Sequence, residues 1–336
     1  MGSQSRARTV GYGLVFFLGC ALTSAVLWLL YADVDLHGSV HSAWDASTGA
    51  FRLGRNTQLV PATHVTTGPL AMDPSYNASA PPQERFFDWT VERADMAPDG
   101  VKRLMYTING QFPGPMMEVT EGDTLIVKVR NHIFDNYKVP SPPMSSKLLD
   151  VHPEGTDRKI SIHWHGLSMR GMQVMDGTSA VTSCALTPGD EHTYRFVVQP
   201  EDVGTHWYHS HVGTSRADGL WGMLIVHARE DERKVLKERA PAHETHWDEE
   251  VAIAVGDHFH EMSPQSLGKY VSIILSSAEP VPDSGLINGK HIFSCNMSRI
   301  TDVPCPAGDK DEVGEYAQFH LRHDLQYRLR LVNVGS

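Results

Sequence analysis

The sequence predicts an all-β protein of sandwich architecture behind an apolar N-terminal helix. Two observations carry the sandwich. Short apolar or alternating runs recur from about residue 84 onward, each ending at a turn signal. The chain also holds 28 glycines and 20 prolines in 336 residues, a composition that punctuates strands and breaks helices. Many short strands with turns between them imply an antiparallel sandwich or barrel.

Residues 1–9 come first and carry Arg6 and Arg8. Val10 to Tyr31 contains no charged residue and is long enough to span a bilayer as a helix. The residues after it carry Asp33, Asp35 and Asp45 and no early lysine or arginine. The charge asymmetry places residues 1–9 in the cytosol and the rest beyond the membrane, at a cell surface or in a secretory lumen. The apolar stretch exceeds the usual length of a signal-peptide core, which favours an uncleaved signal anchor over residues 10–31. The rival is cleavage near Ala21 to Ala25, which would yield a secreted protein.

Residues 32–83, rich in Ser, Thr, Pro, Ala and Gly, read as a stalk. A first domain follows over 84–228. Its early strands are expected at Phe86–Glu92, Leu104–Asn109, Met116–Val119 and Thr124–Arg130. The turns between are Ala97-Pro-Asp-Gly100, Phe112-Pro-Gly-Pro115 and Glu121-Gly-Asp123. After a proline-rich surface loop over 136–158, strands are expected at Ile160–Leu167, His192–Gln199, Thr205–His209 and Gly222–His227. Residues 229–248 make a connector whose first part is charged and helix-competent. A second strand series fills 249–336: Val251–Val255, Tyr270–Leu275, Gly285–Asn288, Ala317–Leu321 and Tyr327–Val334. The chain then stops directly after an apolar strand, which reads as an interrupted second domain.

Charge and cysteines narrow the class. Lysine and arginine number 29 against 40 acidic residues, a net charge of −11, which disfavours a nucleic-acid partner. Asn77-Ala-Ser79 and Asn296-Met-Ser298 are N-glycosylation acceptor tripeptides, compatible with an extracytoplasmic domain. Cys20 lies in the apolar segment. Cys295 and Cys305 flank a short polar loop and can bridge, leaving Cys184 without a partner in the chain.

The chemistry concentrates in two strings, Ser161-Ile-His-Trp-His-Gly166 and Gly204-Thr-His-Trp-Tyr-His-Ser-His211. On a strand, residues i and i+2 share a face. His163 and His165 then point one way, with Ile162 and Trp164 behind them; His209 and His211 do the same against Tyr208 and Ser210. Four imidazoles from two strands suit a copper site better than a catalytic diad. With 19 histidines, about one His-x-His unit is expected by chance, and the chain has three. The third is His258-Phe-His260. Trp164, Trp207 and Tyr208 read as packing residues, and His206, on the opposite strand face from His209, as structural.

The surroundings of the two strings supply the specificity. HWHGLSMRGMQVMDGTSAVTSC (163–184), GTHWYHSHVGTSRADGLWGMLIV (204–226) and INGQFPGPMMEVTEGDTLIVKVRN (108–131) together resemble the first domain of the multicopper oxidases, a family of laccases, ascorbate oxidases and ferroxidases. The resemblance implies cupredoxin-like β-sandwiches, one complete and a second incomplete. It implies a copper-dependent oxidoreductase that takes electrons singly from a small reductant and reduces O2 to water. His163 would ligate a type 2 copper, and His165, His209 and His211 a type 3 pair. Asp176, in Met-Asp-Gly, matches an acidic residue of the family that assists proton delivery; its alternative is a turn former before Gly177.

The departures matter equally. The family's cluster needs eight histidines, and the other four come from a last domain with a His-Cys-His motif and the type 1 copper. No His-Cys-His string occurs here. Residues after 249 resemble the start of the family's middle domain, through Asp283-Ser-Gly-Leu-Ile-Asn-Gly289 and the segment from Tyr327. The chain by itself is therefore expected to be inactive. Cys184 matches a position that, in laccases, bridges to a site near where this chain ends. His258 and His260 have no counterpart among the family's copper ligands. For the reductant, a phenol is favoured and Fe(II) is the alternative, with Glu279 in Ala278-Glu-Pro-Val-Pro282 as the candidate iron-binding carboxylate. A non-catalytic copper-binding ectodomain is the reading from a different class.

Overall fold

The structure, a computed structural model, describes residues 70–134, 158–229, 247–271, 279–296 and 311–335, with residue 234 and a strand pair at 44–45 and 50–51. The expected membrane segment, Cys20, Cys305, the 136–157 loop and most of the 229–248 connector lie outside these residues. Among the described residues no helix is long and apolar enough to cross a membrane. By itself stands a two-stranded ladder, β1 (Trp44–Asp45) and β2 (Ala50–Phe51), paired antiparallel.

The first sandwich joins two four-stranded sheets. One has the order β4-β3-β6-β8, from Arg103–Ile108, Glu84–Met96, Thr124–Asn131 and Glu191–Val197. The other has the order β5-β10-β9-β7, from Met117–Thr120, Trp221–His227, Gly204–His209 and His163–His165. Strand β6 shows why the layers hold. Leu125, Val127 and Val129 alternate with polar or half-exposed residues and all point inward. They meet Trp89, Tyr194, Phe196, Met117, Leu224 and Tyr208 in one core. Burial of these aromatic and branched side chains supplies the main stabilising term.

The sheets are mixed and not purely antiparallel. Strands β3 and β6 run parallel, as do β5 and β10. The cause is topological: between β4 and β9 the chain crosses from one layer to the other at each step, so β3 meets β6 and β5 meets β10 from distant segments. Sequence alternation does not report which strands pair.

Every residue of β10 is buried, because both of its faces are covered. Leu224 and Val226 enter the first core, while Trp221, Met223 and Ile225 face a second core with Trp207, Ala252, Ala254 and Val334. Leu70, within the segment read as a stalk, is buried in that second core. The second core is capped by a three-stranded sheet of order β12-β11-β15: Ser284–Ile287, Glu249–His258 and Tyr327–Asn333. Strands β11 and β15 are parallel over seven registered pairs, Glu249↔Tyr327 to Val255↔Asn333.

Two expected strands are corrected. Tyr270 ends helix α1 (Ser263–Tyr270), where Pro264 in the first turn favours helix entry; residues 272–278 are not among those described. Residues 317–321 take no regular structure, and Leu321 is exposed. An apolar run without a partner strand or a face to bury has nothing to hold it extended. A short ladder of β13 (Ile292–Ser294) and β14 (Glu312–Gly314) was not legible in the sequence. Cys295, just after it, is disulfide-bonded, and its expected partner Cys305 lies outside the described residues. Cys184 is a free, exposed thiol.

Candidate metal centre

The four histidines come together through the pairing of two short strands. β7 lies antiparallel to β9, with His163 opposite His209, Trp164 opposite Tyr208 and His165 opposite Trp207. The alternation predicted from the sequence is realised: Ile162, Trp164 and Tyr208 are buried inside the sandwich. The imidazoles occupy the sheet's other face. His163 ring centroids lie 5.7 Å from His165, 5.3 Å from His209 and 5.3 Å from His211. His211 sits beyond the end of β9, yet its ring still stacks 5.9 Å from that of His209.

Buried neighbours hold this edge strand in place. The Trp164 indole N–H donates to the Met175 carbonyl at 3.1 Å. The Ile162 amide donates to the Tyr194 hydroxyl at 2.9 Å. Gly177 has a φ of +77°, and a Cβ there would stand 1.7 Å from the Ile162 carbonyl oxygen. Only glycine permits that approach. It delivers Asp176 to the ring of His163.

Nδ1 of His163 lies 2.9 Å from the Asp176 carbonyl and 3.2 Å from the Asp176 Oδ1. Both are acceptors, so Nδ1 carries the proton and Nε2 keeps its lone pair. His209 behaves alike: its Nδ1 donates to the Ser210 carbonyl at 2.8 Å. The His209 Nε2 then faces Nδ1 of His165 at 3.2 Å. Two nitrogens bound to one ion at about 2.0 Å and a tetrahedral angle are about 3.3 Å apart. The spacing suits a shared ion. Nitrogens of His163, His165 and His209 all lie within 4.8 Å of one another.

Electrostatics favours the neutral form of two of the donors. Partial desolvation, then the His163 ring and the Arg216 charge, lowers the pKa of His165, although that residue is exposed at one side, and burial drives His209 down to about 3. Neutral imidazole is the form that ligates a transition metal. Trp207 lies against both rings, 5.0 Å from His165 and 4.3 Å from His209, with the Arg216 guanidinium over the Trp207 ring at 5.7 Å from its centroid.

Asp176 takes the turn-forming place weighed for it. It closes a 3₁₀ turn before Gly177, and its Oδ2 accepts from the Thr178 hydroxyl at 3.2 Å. Its side chain is only one-fifth exposed. His206 is on the opposite strand face, as expected; its Nε2 donates to the Asp202 carbonyl at 2.6 Å. Glu279 is exposed, on the chain before β12. Asn77 and Asn296 are both exposed, and Asn77 accepts from the Ser79 amide at 3.1 Å in a tight polar turn.

Two features were not legible. Arg103, Asp218 and Ser263 form a buried knot joining β4, the loop after β9 and the start of α1. Arg103 donates to Asp218 at 2.6 Å, and the Ser263 hydroxyl to the same carboxylate at 2.5 Å. Asp99, His258 and His260 also converge. A His-x-His unit signals the second, but nothing local names an acidic partner more than 150 residues away.

Models of the multicopper oxidase family match residues 90–141, 149–231 and 249–336, about two thirds of the chain. Laccase-2 of Cryptococcus neoformans var. grubii is 28% identical over 295 residues, covering 86% of this chain and 43% of that protein. L-ascorbate oxidase of Cucumis sativus is 31% identical over 264 residues, covering 76% of this chain and 38% of the relative. The laccase of Botrytis aclada shares the fold with a TM-score of 0.56 and 31% identity, over 76% of this chain and 39% of that one. Fet3p, a multicopper oxidase that functions in iron import, shares the fold with a TM-score of 0.50 and 24% identity, over 75% and 37%. The chain spans about two fifths of the length of the curated relatives it matches.

Proposed function

The chain belongs to the multicopper oxidase family, with a mostly β, cupredoxin-like fold, and on that premise we propose that it supplies four of the eight histidines of a copper–oxygen cluster. The parent enzyme couples one-electron oxidation of a small reductant to four-electron reduction of O2 to water. One observation carries the reading: four imidazoles converge on one sheet face, and two of them have Nδ1 tied to a carbonyl acceptor, which leaves Nε2 as the ring nitrogen turned toward the other rings.

In this reading His163 holds the type 2 copper, and His165, His209 and His211 hold the type 3 pair. Bound copper supplies the one-electron steps that a protein side chain does not. The chain's own residues orient and support the rings. Asp176 fixes the His163 tautomer through its carbonyl and Oδ1, the outer contact that sets ring direction. Its partly exposed carboxylate is also placed to relay protons from solvent toward the cluster. Trp207 packs against the rings of His165 and His209 and holds them from one side.

For the reductant, the laccases among the relatives favour a phenol. Fe(II) is the second reading, supported by the exposed carboxylate of Glu279 before Pro280, an oxygen donor suited to a hard cation. The Val10–Tyr31 segment anchors the protein in a membrane, with the copper domain outside the cytosol and Asn77 and Asn296 available for glycosylation. A copper-binding ectodomain without turnover is the competing class.

The test loads the metal-free chain with copper and measures bound metal and oxygen uptake with a phenol. Copper binding that His163→Ala and His209→Ala each reduce, with no sustained oxygen uptake, is the expected result. Robust turnover by this chain alone would overturn the four-of-eight assignment. Downstream transcript encoding a His-Cys-His segment separates the oxidase from the inert ectodomain. In the intact protein, Glu279→Ala should depress iron oxidation selectively; equal loss with phenols removes the iron reading.

A further inference from the structure

We propose that Asp99, His258 and His260 form a second, separate metal site, a buried set of two histidines and one carboxylate for a divalent transition-metal ion. Its role is structural. It clamps the first sandwich to the second sheet.

The donors come from both domains. Asp99 sits in the turn between β3 and β4, His258 ends β11, and His260 follows in the loop before α1. One ligand atom from each lies within 4.8 Å of the others. All three side chains are nearly sealed from solvent, at 0%, 2% and 6% exposure. The contact is itself an inter-domain seam: the His291 amide donates to the Pro98 carbonyl at 3.2 Å and the Phe293 amide to the Asp99 carbonyl at 3.2 Å.

A hydrogen-bonded histidine–aspartate pair explains only part of this. The His260 Nε2 donates to Asp99 Oδ2 at 2.7 Å, and the Ser284 hydroxyl donates to the same oxygen at 2.5 Å. His258 is left over. Its Nε2 is buried with no hydrogen-bond partner, aimed at Asp99 Oδ1 from 3.9 Å. Buried ring nitrogens normally find a partner, and an ion between His258, His260 and Asp99 supplies one. Nδ1 of His260 is likewise buried and unpartnered, 3.8 Å from Asp283 Oδ1.

The protonation states agree with that geometry. Burial, with the Arg103 charge nearby, brings the His258 pKa down to about 3, so the ring is neutral. Burial alone would raise the pKa of Asp99, but hydrogen bonds from His260 and Ser284 bring it down to about 2, so it is ionised. Metal entry replaces the proton between His260 Nε2 and Asp99. The His260 proton then resides on Nδ1 facing Asp283, the carboxylate–histidine–metal arrangement that orients a ligating ring. Arg103 opposes a cation here, but its guanidinium is engaged by Asp218 at 2.6 Å.

The donor set selects the ion class. Two imidazoles disfavour calcium and magnesium, and the absence of sulfur from the three donors disfavours soft monovalent copper. Zinc(II) or another borderline divalent ion remains. Ligand nitrogens and oxygens about 3.3 Å apart are needed around such an ion. The 2.7 Å contact must open and the 3.9 Å contact close, each by less than an ångström.

Zinc(II) titration of the metal-free full chain against a chromophoric chelator tests the site. The variants are His258→Phe, His258→Gln and the double variant His209→Ala/His211→Ala, which cripples the four-histidine centre. The expected results are loss of one zinc equivalent in both His258 variants and its retention in the double variant. A zinc-induced rise in Tm should be smaller with His258→Gln than in the wild type and should persist in the double variant, where a further His258→Gln abolishes it. Cobalt(II), bound to the double variant, should show a ligand-field spectrum that His258→Gln abolishes. Equal zinc stoichiometry and equal Tm rise in wild type and both His258 variants would overturn the proposal. So would a double variant that binds no zinc.

Discussion

Replacing Gly177 with alanine tests how the four-histidine centre is held. A Cβ at 177 would stand 1.7 Å from the Ile162 carbonyl oxygen and 3.1 Å from the His163 amide nitrogen. Real Cβ contacts do not fall below 3.0 Å, so the Asp176–Gly177 turn must retreat by about 1.3 Å. That motion carries the Asp176 carbonyl, now 2.9 Å from His163 Nδ1, beyond hydrogen-bond range. The left-handed φ of +77° adds about 1–2 kcal/mol for any residue with a Cβ, and the lost hydrogen bond about 1 kcal/mol. With residual strain the total comes to about 3–4 kcal/mol. Gly171 is the control, since its φ is +74° and nothing lies within 4 Å of a Cβ there. Gly171→Ala should therefore lose only about 1–2 kcal/mol. Urea unfolding of the metal-free chain reads both, and copper titration should show about tenfold or greater weakening for Gly177→Ala alone. Equal midpoints and equal copper affinity for the two variants would refute the reasoning.

Three further outcomes follow from buried groups. The metal-free chain should lose stability on acidification. Unfolded histidine takes its proton near pH 6.5, whereas His209 and His258 resist down to about pH 3. The unfolded state therefore binds more protons between those values. Full stability holds above about pH 6.5, and each group forfeits about 2 kcal/mol by pH 5, readable as a falling urea midpoint. Asp218→Ala should cost about 3–5 kcal/mol, because it strands Arg103 in the interior with its carboxylate gone; a change below 1 kcal/mol by urea unfolding would contradict a closed ion pair. Tyr194→Phe should cost about 1–3 kcal/mol by leaving the buried Ile162 amide without its acceptor, and a neutral result would mean that this edge strand does not depend on the bond.

Much of the centre was written locally. The His-x-His units sit on strands, and period-2 alternation sends Ile162 and Trp164 inward and the imidazoles outward whatever surrounds them. Asp176 was legible as a neighbour of the centre only through the family resemblance of Met-Asp-Gly, while Gly177 marked the turn. Strand pairing was not legible. Alternation identifies a half-buried strand but not its partner, so the parallel β3–β6 and β5–β10 ladders escaped. The Ala317–Leu321 run had strand composition and found no partner. The Arg103–Asp218–Ser263 knot joins residues over 100 positions apart, and no local pattern encodes such a meeting.

By itself, then, the sequence determined most strands of the first sandwich, the apolar N-terminal segment and the identity and facing of the four histidines, because these depend on side-chain chemistry and a two-residue period. Tertiary structure alone decided which ring nitrogens remain free, since that follows from carbonyls delivered by Asp176 and Ser210. It also decided that His258 and His260 meet Asp99 across the domain seam. The physical reason is the same in both cases. A hydrogen bond or a ligand set is fixed by distances of a few ångströms, and those distances exist only after the two cores have closed.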